Sequence, residues 1–179
     1  MYTIITAPNQ LLKTVSTSTD INSKLMGIIT EMKATLTKTE GVKGVGLAAI
    51  QVGIPKRVFL AYSDKSKQLL TFINAEIIWS SKTLTQGLPQ KGNHYEGCLS
   101  VPNVWAIVKR PKTIKIRYQT ESGHLMIRKY EGMTAAIIQH EYDHTQGILF
   151  TEKALQQGNK LYTIKIDGEG KSYFEEIKL

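Results

Sequence analysis

The segment HEYDH, which places His140 and His144 four residues apart, constrains this chain more than any other feature. In an α-helix that separation is about 400° of rotation and about 6 Å of rise, so both imidazoles project from nearly the same face. One metal ion can then bridge them. Glu141, one position on from His140, can reach a water on that ion as a general base without being a ligand. The spacing therefore predicts a helix with a metal site on one face.

The sequence around HEYDH is typical of such a helix. Gly132 precedes MTAAIIQHEYDHTQG, in which Met133, Ala136 and Ile137 share one helical face with the two histidines, and Gly147 supplies a stop. In a chain of this length and composition, roughly 0.006 HExxH matches are expected by chance. Coincidence is a poor explanation, although two ordinary core or surface histidines beside a satisfied glutamate remain the bland alternative.

A catalytic metal site needs a third protein ligand and one open position for water. In one class of metalloproteases, the metzincins, a third His follows the second by six residues after an intervening Gly; here Gly147 is present, but Phe150 occupies the ligand position. Another class uses a downstream Glu on a second helix. Glu169 is only a weak candidate for that role, because the sequence at that distance favours strands.

Cys98 is the other candidate for the third ligand. It is the only cysteine, so an internal disulfide is impossible, and a free Cys is usually a small buried hydrophobe. Its setting in YEGCLSVP points beyond packing, since Gly97 lets the backbone approach closely and Pro102 helps to place the thiol outside a regular strand interior. One Cys and two His with a bound water are a reasonable site for zinc or ferrous iron.

Two segments near the N-terminus are predicted from their periodicity. Apolar residues recur at helical spacing from Ile21 to Leu36, with Asp20 as N-cap and Gly41 at the end, which predicts a helix over about 21–39. The following GVKGVGLAAIQVGIP, residues 41–55, is too glycine-rich for a regular helix and too apolar for an exposed loop. We expect it to be backbone that lines a site.

The rest of the chain reads mainly as strands, which are predicted at 57–62, 69–79, 113–119, 125–130, 161–166 and 172–177. Residues 80–94 look like a loop. The turns TESGH and DGEGK predict two hairpins, so the sheets are at least partly antiparallel. The predicted fold class is α+β, with mainly antiparallel sheets packed around a central metal-binding helix in a single domain over 1–179.

Composition excludes several classes of protein. The chain has 179 residues, of which 41% are hydrophobic and 21% charged, and this argues against disorder and fibrous repeats. No targeting signal and no apolar stretch of about 20 residues is visible, so we expect a cytoplasmic protein without a membrane span. The net charge of +8 permits a polyanionic neighbour, but there is no nucleic-acid motif and a basic solvated surface is the simpler explanation.

Three segments together resemble the peptide deformylase family: GVGLAAIQ at 44–51, EGCLS at 96–100 and QHEYDH at 139–144. They are the family's three characteristic motifs, in its order and at compatible separations. The order of predicted helices and strands agrees over essentially the whole chain. The resemblance implies an enzyme that removes the formyl group from the N-terminal N-formylmethionine of nascent polypeptides and releases formate.

The resemblance also implies roles for individual residues. Cys98, His140 and His144 would bind one divalent metal ion, usually Fe²⁺ in this family, with Zn²⁺, Ni²⁺ or Co²⁺ able to occupy the site. The metal-bound water would be the nucleophile, and Glu141 would accept its proton and deliver it to the leaving amine. Gln51 and the backbone N–H of Leu99 would hold the formyl oxygen as negative charge develops on it.

The glycine-rich segment suits an extended peptide substrate. Such a peptide is expected to pair with Val45 and Gly46 as an added strand, with Gly97 on its other side. Main-chain contacts of this kind ignore the downstream sequence, which suits an enzyme that processes many nascent chains. The methionine side chain would enter an apolar pocket, for which the candidates by position are Val45, Met133, Ala136 and Ile137.

Some positions depart from the family pattern. Thr145 stands where a Leu commonly follows the second His, and Trp105 stands where many members carry Arg, which bears on contacts beyond the methionine. The loop over 80–95 is longer than in the most compact members. Residues 151–179 are charge-balanced and strand-like, so they offer no basic C-terminal helix for ribosome docking, although transient proximity to the ribosome is compatible with the sequence.

Two other functions compete with deformylation. An HExxH metalloprotease would cleave internal peptide bonds and would have no need of Cys98. A non-catalytic binding module would keep the fold without the reaction, and the presence of Glu141 and Gln51 is evidence against that.

Overall fold

The computed structural model of the protein describes residues 1–38, 44–89 and 94–178. The α-helices in these ranges are α1 (Ser23–Thr37), α2 (Gly132–Thr145) and α3 (Phe150–Gln156), and 3₁₀ turns cover Gln10–Lys13 and Ala49–Val52. The strands are β1 (Gly46–Ala48), β2 (Val58–Ser63), β3 (Gln68–Ser80), β4 (Glu96–Cys98), β5 (Val101–Ala106), β6 (Thr113–Gln119), β7 (Leu125–Glu131), β8 (Leu161–Ile166) and β9 (Ser172–Glu176). None of the helices found in these ranges is long and apolar enough to cross a membrane.

The described strands form two sheets. The larger sheet has the order β1-β2-β3-β6-β7 and the smaller sheet has the order β4-β5-β8-β9. Every strand pair in both sheets is antiparallel. The predicted α+β class and both predicted hairpins, β6–β7 and β8–β9, are confirmed.

The helix that carries HEYDH packs against the larger sheet. Ala135 and Ile138 of α2 are fully buried in one apolar cluster with Phe59, Phe72 and Ile114 of the sheet. The rings of Phe59 and Phe72 stack with centroids 4.9 Å apart. Burying one such phenylalanine is worth about 1.5–3 kcal/mol. The position of α2 is therefore fixed by the core.

Strand β2 is buried on both faces, which explains why its sequence is almost continuously apolar. Phe59 packs in the cluster beneath α2, whereas Val58 and Leu60 belong to a second cluster that includes Ile29 and Met32 of α1. Successive side chains of a strand point to opposite faces, and both faces are covered by a helix here. The same strand thus links the two helices.

The predicted N-cap of the first helix is wrong. Helix α1 begins at Ser23, and its N-cap is Asn22 and not Asp20, because the Asn22 side chain accepts a hydrogen bond from the Leu25 N–H at 2.9 Å. Asn and Asp are both good N-caps, so two candidates lay close together and propensity alone could not separate them. The predicted end at 39–41 lies outside the described residues.

Short helices and strands could not be predicted from the spacing of apolar residues. The predicted strands 57–62 and 69–79 are observed within one residue at either end as β2 and β3, but α3, β1, β4 and β5 were not predicted. The seven residues of α3 and the three of β1 and β4 are too few to show a helical or strand period. Within the predicted loop 80–94, residues 90–93 lie outside the described part of the chain.

The predicted stop of the second helix at Gly147 is confirmed. Helix α2 ends at Thr145, and Gly147 adopts a left-handed conformation with φ of +71°. A Cβ atom at this position would collide with the backbone carbonyl of Lys13. Gly158 ends α3 in a similar conformation, with φ of +73°, but a Cβ there would meet nothing within 4 Å.

These two glycines give a matched test of the fold. Gly158→Ala should cost about 1 kcal/mol, the penalty of a left-handed backbone for an L-residue. Gly147→Ala should cost about 3 kcal/mol, because overlap with the Lys13 carbonyl adds to that penalty. Urea denaturation followed by circular dichroism measures both free energies of unfolding, and equal losses would contradict the close approach at Gly147.

Candidate metal centre

A cleft of about 450 Å³ lies where the smaller sheet meets α2 and β1. Eleven of the twelve residues assigned to the site by sequence line it, and the remaining one, His144, is almost fully buried beneath. The eleven are Val45, Gly46, Gln51, Gly97, Cys98, Leu99, Met133, Ala136, Ile137, His140 and Glu141. The structure thus brings together three sequence segments that are far apart along the chain.

The three predicted ligands converge. One ligand atom each from Cys98, His140 and His144 lies within 4.8 Å of the others, and Cys98 Sγ is 3.2 Å from His144 Nε2. A sulfur and a nitrogen bound tetrahedrally to one ion would be about 3.6 Å apart, which is close to this spacing. Two imidazoles and a thiol are donors that suit zinc or ferrous iron. The residues present therefore fit a metal ion.

The competing third ligands are placed elsewhere. Phe150, at the position where a third His would be needed, packs its ring 5.8 Å from the His140 ring. Glu169 lies exposed in the turn between β8 and β9, where its N–H donates to the Asp167 side chain. Cys98, the last residue of β4, is the side chain that lies with both histidines.

A buried carboxylate orients His140. Glu96 Oε2 lies 3.0 Å from His140 Nδ1, which leaves Nε2 of that ring for the metal side. Glu96 in turn accepts two hydrogen bonds from Arg110, from Nε at 2.6 Å and Nη2 at 2.9 Å. A carboxylate on the second nitrogen of a ligand histidine fixes its tautomer and ring orientation.

Arg110 links this carboxylate to the helix. Its Nη1 donates to Asp143 Oδ2 at 2.8 Å, and Asp143 also accepts from Lys153 of α3 at 2.7 Å. The Arg110 side chain is only 1% exposed. One buried cation therefore joins strand β4, which carries Cys98, to helix α2, which carries both histidines.

The charges of this network keep Glu96 ionised. Burial alone would raise the pKa of Glu96, but the Arg110 charge and the His140 hydrogen bond outweigh it and lower that pKa to about 2. Burial likewise opposes the charge of Arg110, whose pKa is nevertheless raised by the Glu96 and Asp143 carboxylates. Glu96 and Arg110 are therefore both charged in the neutral range.

The surrounding groups shift the pKa values of the two histidines in opposite directions. Burial would lower the pKa of His140, but hydrogen bonds to Cys98 and Glu96 raise it well above the ordinary value. Burial and the charges of His140 and Arg110 lower the pKa of His144 well below it. A histidine nitrogen must be unprotonated to bind an ion, so metal binding at these rings competes with protonation.

Glu141 lies on the cleft wall beside the ligands. Its carboxylate is buried, and among the described residues its Oε2 has no hydrogen-bond partner. Burial raises the pKa of Glu141 to about 7 against the lowering charges of His140 and Arg110. A Cβ atom at Gly46 would collide with this carboxylate, so the glycine provides the space that Glu141 occupies.

Gln51 is held with its amide pointing to the ligands. Its Oε1 accepts from the Ala48 N–H at 2.8 Å, and its Nε2 lies 3.1 Å from Ser100 Oγ and 3.5 Å from Cys98 Sγ. The oxygen is thus committed to the backbone and the N–H group faces the cleft. Leu99 follows Cys98 in the turn between β4 and β5.

The predicted pocket residues differ in exposure. Ala136 and Ile137 are buried in the wall of the cleft, Met133 is half-buried, and Val45 is 42% exposed at the rim. Val45 accepts a backbone hydrogen bond from the Tyr62 N–H at 2.7 Å. The apolar wall lies on the same helix as the histidines.

Sequence reasoning missed the charged network. Glu96 lies in the motif EGCLS and Asp143 in the motif QHEYDH, both beside residues predicted to line the site. Their place in these motifs was the available signal, since acids that become buried need a cationic partner. Arg110 and Lys153 stand in no motif, so no sequence signal pointed to them.

The two departures from the family pattern lie in different surroundings. Thr145 is fully buried, and its hydroxyl donates to the Tyr142 carbonyl at 2.7 Å, which places it in the packing behind the helix. Trp105 lies on the cleft wall against Gly97, where a Cβ atom would meet the indole ring at 2.8 Å.

Known proteins with this sequence pattern and fold are deformylases. A family model described as "Polypeptide deformylase" matches residues 1–160. The peptide deformylase of Phenylobacterium zucineum is 37% identical over 153 residues, which cover 83% of this chain and 85% of the relative. The peptide deformylase structure from Thermotoga maritima has a TM-score of 0.76 at 32% identity and covers 86% of this chain and 97% of its own. That of Acinetobacter baumannii with Met-Ala-Ser bound has a TM-score of 0.75 at 29% identity and covers 85% and 97%.

Removing the buried cation tests the network. Arg110→Met should lower the free energy of unfolding by about 3–5 kcal/mol, because buried Glu96 loses its arginine partner and Asp143 keeps only the partly exposed Lys153. Arg117 pairs with Glu76 at the surface, where both side chains are about half exposed, so Arg117→Met should cost less than about 1 kcal/mol. Urea denaturation of the two variants measures the difference, and similar losses would mean that the buried network does not hold the fold.

Proposed function

The chain belongs to the peptide deformylase family, and we infer that its cleft removes the formyl group from N-formylmethionine at the start of nascent polypeptides. The observation that carries this inference is the convergence of Cys98, His140 and His144 beside the buried carboxylate of Glu141. Water adds to the formyl carbon, the C–N bond breaks, and formate and a free amino group leave.

We propose that Cys98 Sγ and the Nε2 atoms of His140 and His144 hold one divalent ion, Fe²⁺ in the cell, with Zn²⁺, Ni²⁺ or Co²⁺ as substitutes. When bound, the ion supplies Lewis acidity and lowers the pKa of a water molecule. The mixed sulfur and nitrogen donors support this assignment. Glu96 and Arg110 keep His140 turned toward the other two ligands.

Glu141 is proposed as the general acid and base. Its unpartnered Oε2 can accept a proton from the attacking water and then deliver it to the leaving amine. Burial excludes bulk water from this transfer. The space made by Gly46 keeps the carboxylate beside the ligands and not among them.

Gln51 and Leu99 are proposed to stabilise the charge that develops on the formyl oxygen. The Gln51 Nε2 group is aimed at the ligands because its Oε1 is fixed by Ala48. Together with the backbone N–H of Leu99 it would form an oxyanion hole, and preorganised donors of this kind contribute about 3–4 kcal/mol each in other hydrolases.

The substrate is proposed to lie extended across the cleft. Val45 and Gly46 would pair with its backbone on one side and Gly97 on the other, and these main-chain contacts would not depend on the downstream side chains. Its methionine side chain would enter the pocket formed by Met133, Ala136 and Ile137. The bound Met-Ala-Ser of the Acinetobacter baumannii relative supports a site for a peptide that begins with Met.

The setting of the reaction follows from its substrate. We propose a cytoplasmic location with transient proximity to the ribosome, because formylated chains emerge there. We also propose that residues 1–179 form one catalytic domain, since β8 and β9 extend the sheet that carries Cys98.

Formate release from formyl-Met-Ala-Ser by anaerobically purified protein tests the function. Glu141→Gln should keep the metal but lower kcat at least about a hundredfold, because it removes proton transfer and not a ligand. The control is Glu121→Gln, since Glu121 pairs with Lys33 on the surface and should leave turnover unchanged. Near-normal turnover by the Glu141 variant would defeat the mechanism, and no formate from the wild type would defeat the function.

Metal analysis of the same preparation tests the ligands. Cys98→Ala and His144→Ala should each weaken metal binding by about a hundredfold or more, whereas His124→Ala, which changes an exposed histidine, should retain the ion. Iron should be present in anaerobic wild-type protein and should be lost together with activity in air, because an iron-bound thiolate is sensitive to oxidation. A fully loaded, active Cys98→Ala protein would return this cysteine to a packing role.

A further inference from the structure

The C-terminal hairpin, formed by β8 and β9, lies beyond the part of the chain that matches the family. The family model ends at residue 160, and β8 begins at Leu161. The hairpin nevertheless belongs to the smaller sheet, because Tyr162 pairs with Trp105 of β5 and Leu161 pairs with Ala106. It therefore extends the sheet that carries Cys98.

Four aromatic rings join this hairpin to the cleft, and we call them the aromatic cluster: Tyr95, Trp105, Tyr162 and Phe174. Phe174 of β9 stacks on Tyr95 with centroids 4.1 Å apart and meets Trp105 edge-on at 6.4 Å. Tyr162 of β8 meets Tyr95 edge-on at 5.3 Å. Each such contact is worth about 0.5–1.5 kcal/mol beyond area burial.

Two members of the aromatic cluster, Tyr95 and Trp105, line the cleft itself. Trp105 lies on the backbone of Gly97, which immediately precedes the ligand Cys98. Phe174 of the hairpin contacts both of these rings, and Tyr162 contacts the ring of Tyr95. The outer wall of the cleft therefore depends on a segment that the family match does not include.

We propose that this wall sets the preference for the two residues that follow the formylmethionine. The proposal rests on the proposed function, because an extended peptide beside Gly97 would pass directly along Trp105 and Tyr95. Ring faces and edges favour aromatic or large aliphatic side chains over small polar ones. Phe174 is a positioning residue, since it acts on the substrate through the two rings it contacts.

The opposite faces of β9 provide a matched control. Phe174 is 36% exposed and its ring packs in the aromatic cluster, whereas the neighbouring Tyr173 is 47% exposed and takes part in none of the ring contacts described above. Side chains at successive strand positions point to opposite faces. Replacing either residue removes a large side chain from the same strand, but only one of them supports the cleft wall.

The experiment compares kcat and KM for formyl-Met-Ala-Ala, formyl-Met-Phe-Ala and formyl-Met-Ala-Phe. The wild type should prefer at least one Phe peptide to the Ala peptide. Phe174→Ala should raise KM for that peptide about fivefold with kcat unchanged, the size of one lost aromatic contact, and should leave the Ala peptide unaffected. Tyr173→Ala should behave as the wild type, and Phe174→Tyr should restore the low KM.

Other outcomes overturn the proposal. They are a wild type that does not prefer either Phe peptide, a Phe174→Ala protein that keeps the preference, and an equal change in KM for all three peptides. Thermal unfolding is measured on the same samples, and if Phe174→Ala does not fold, Phe174→Leu replaces it, because leucine keeps the apolar packing and removes the ring. If the wild type releases no formate from any peptide, the proposed function itself has failed, whereas activity without the preference defeats this inference alone.

Discussion

The buried guanidinium of Arg110 is the interaction on which the rest of the site depends. It pairs with both Glu96 and Asp143. Glu96 is hydrogen-bonded to His140, and Asp143 immediately precedes His144. Burying these charges costs desolvation energy, so the network is weak evidence for net stability. Its value is positional, because a metal ligand displaced by 1 Å no longer converges with the others. The strand β4 and the helix α2 belong to different parts of the core, and this ion pair network joins them.

Two glycines that line the cleft make room for neighbouring side chains. A side chain at Gly46 would collide with the Glu141 carboxylate, and one at Gly97 would collide with the Trp105 indole. Each glycine therefore makes room for a neighbouring side chain, and in the proposed binding mode each would also expose backbone to the peptide. A glycine-rich segment that is too apolar for a loop is thereby explained. In the proposed function, backbone groups would recognise the peptide and side chains would carry out the chemistry.

The elements predicted from the sequence are those long enough to show a period of apolar residues, and the predicted site residues are those that stand in motifs. Helix α2 and the two hairpins follow from period and turn signals, whereas the grouping of Cys98 with the histidines was implied by the family resemblance, and the structure has all of them. Arg110 and Lys153 could not be predicted, because a long cation far from any motif looks the same whether it is solvated or buried. The N-cap at Asn22 was missed because Asp20 offered the same chemistry two residues earlier. Helix α3 was missed because seven residues hold only two turns.

The C-terminal hairpin shows how one segment can meet a structural and a substrate requirement together. Without β8, strand β5 would be the edge of the smaller sheet and would present unpaired backbone groups beside the cleft, a template for unwanted pairing. Pairing of Tyr162 with Trp105 covers that edge and at the same time brings an aromatic ring beside Tyr95. The strand pairing that covers the sheet edge therefore also places a ring against the cleft wall. Because the metal ligands lie on β4 and α2, the hairpin can vary in sequence and alter substrate preference without disturbing the chemistry.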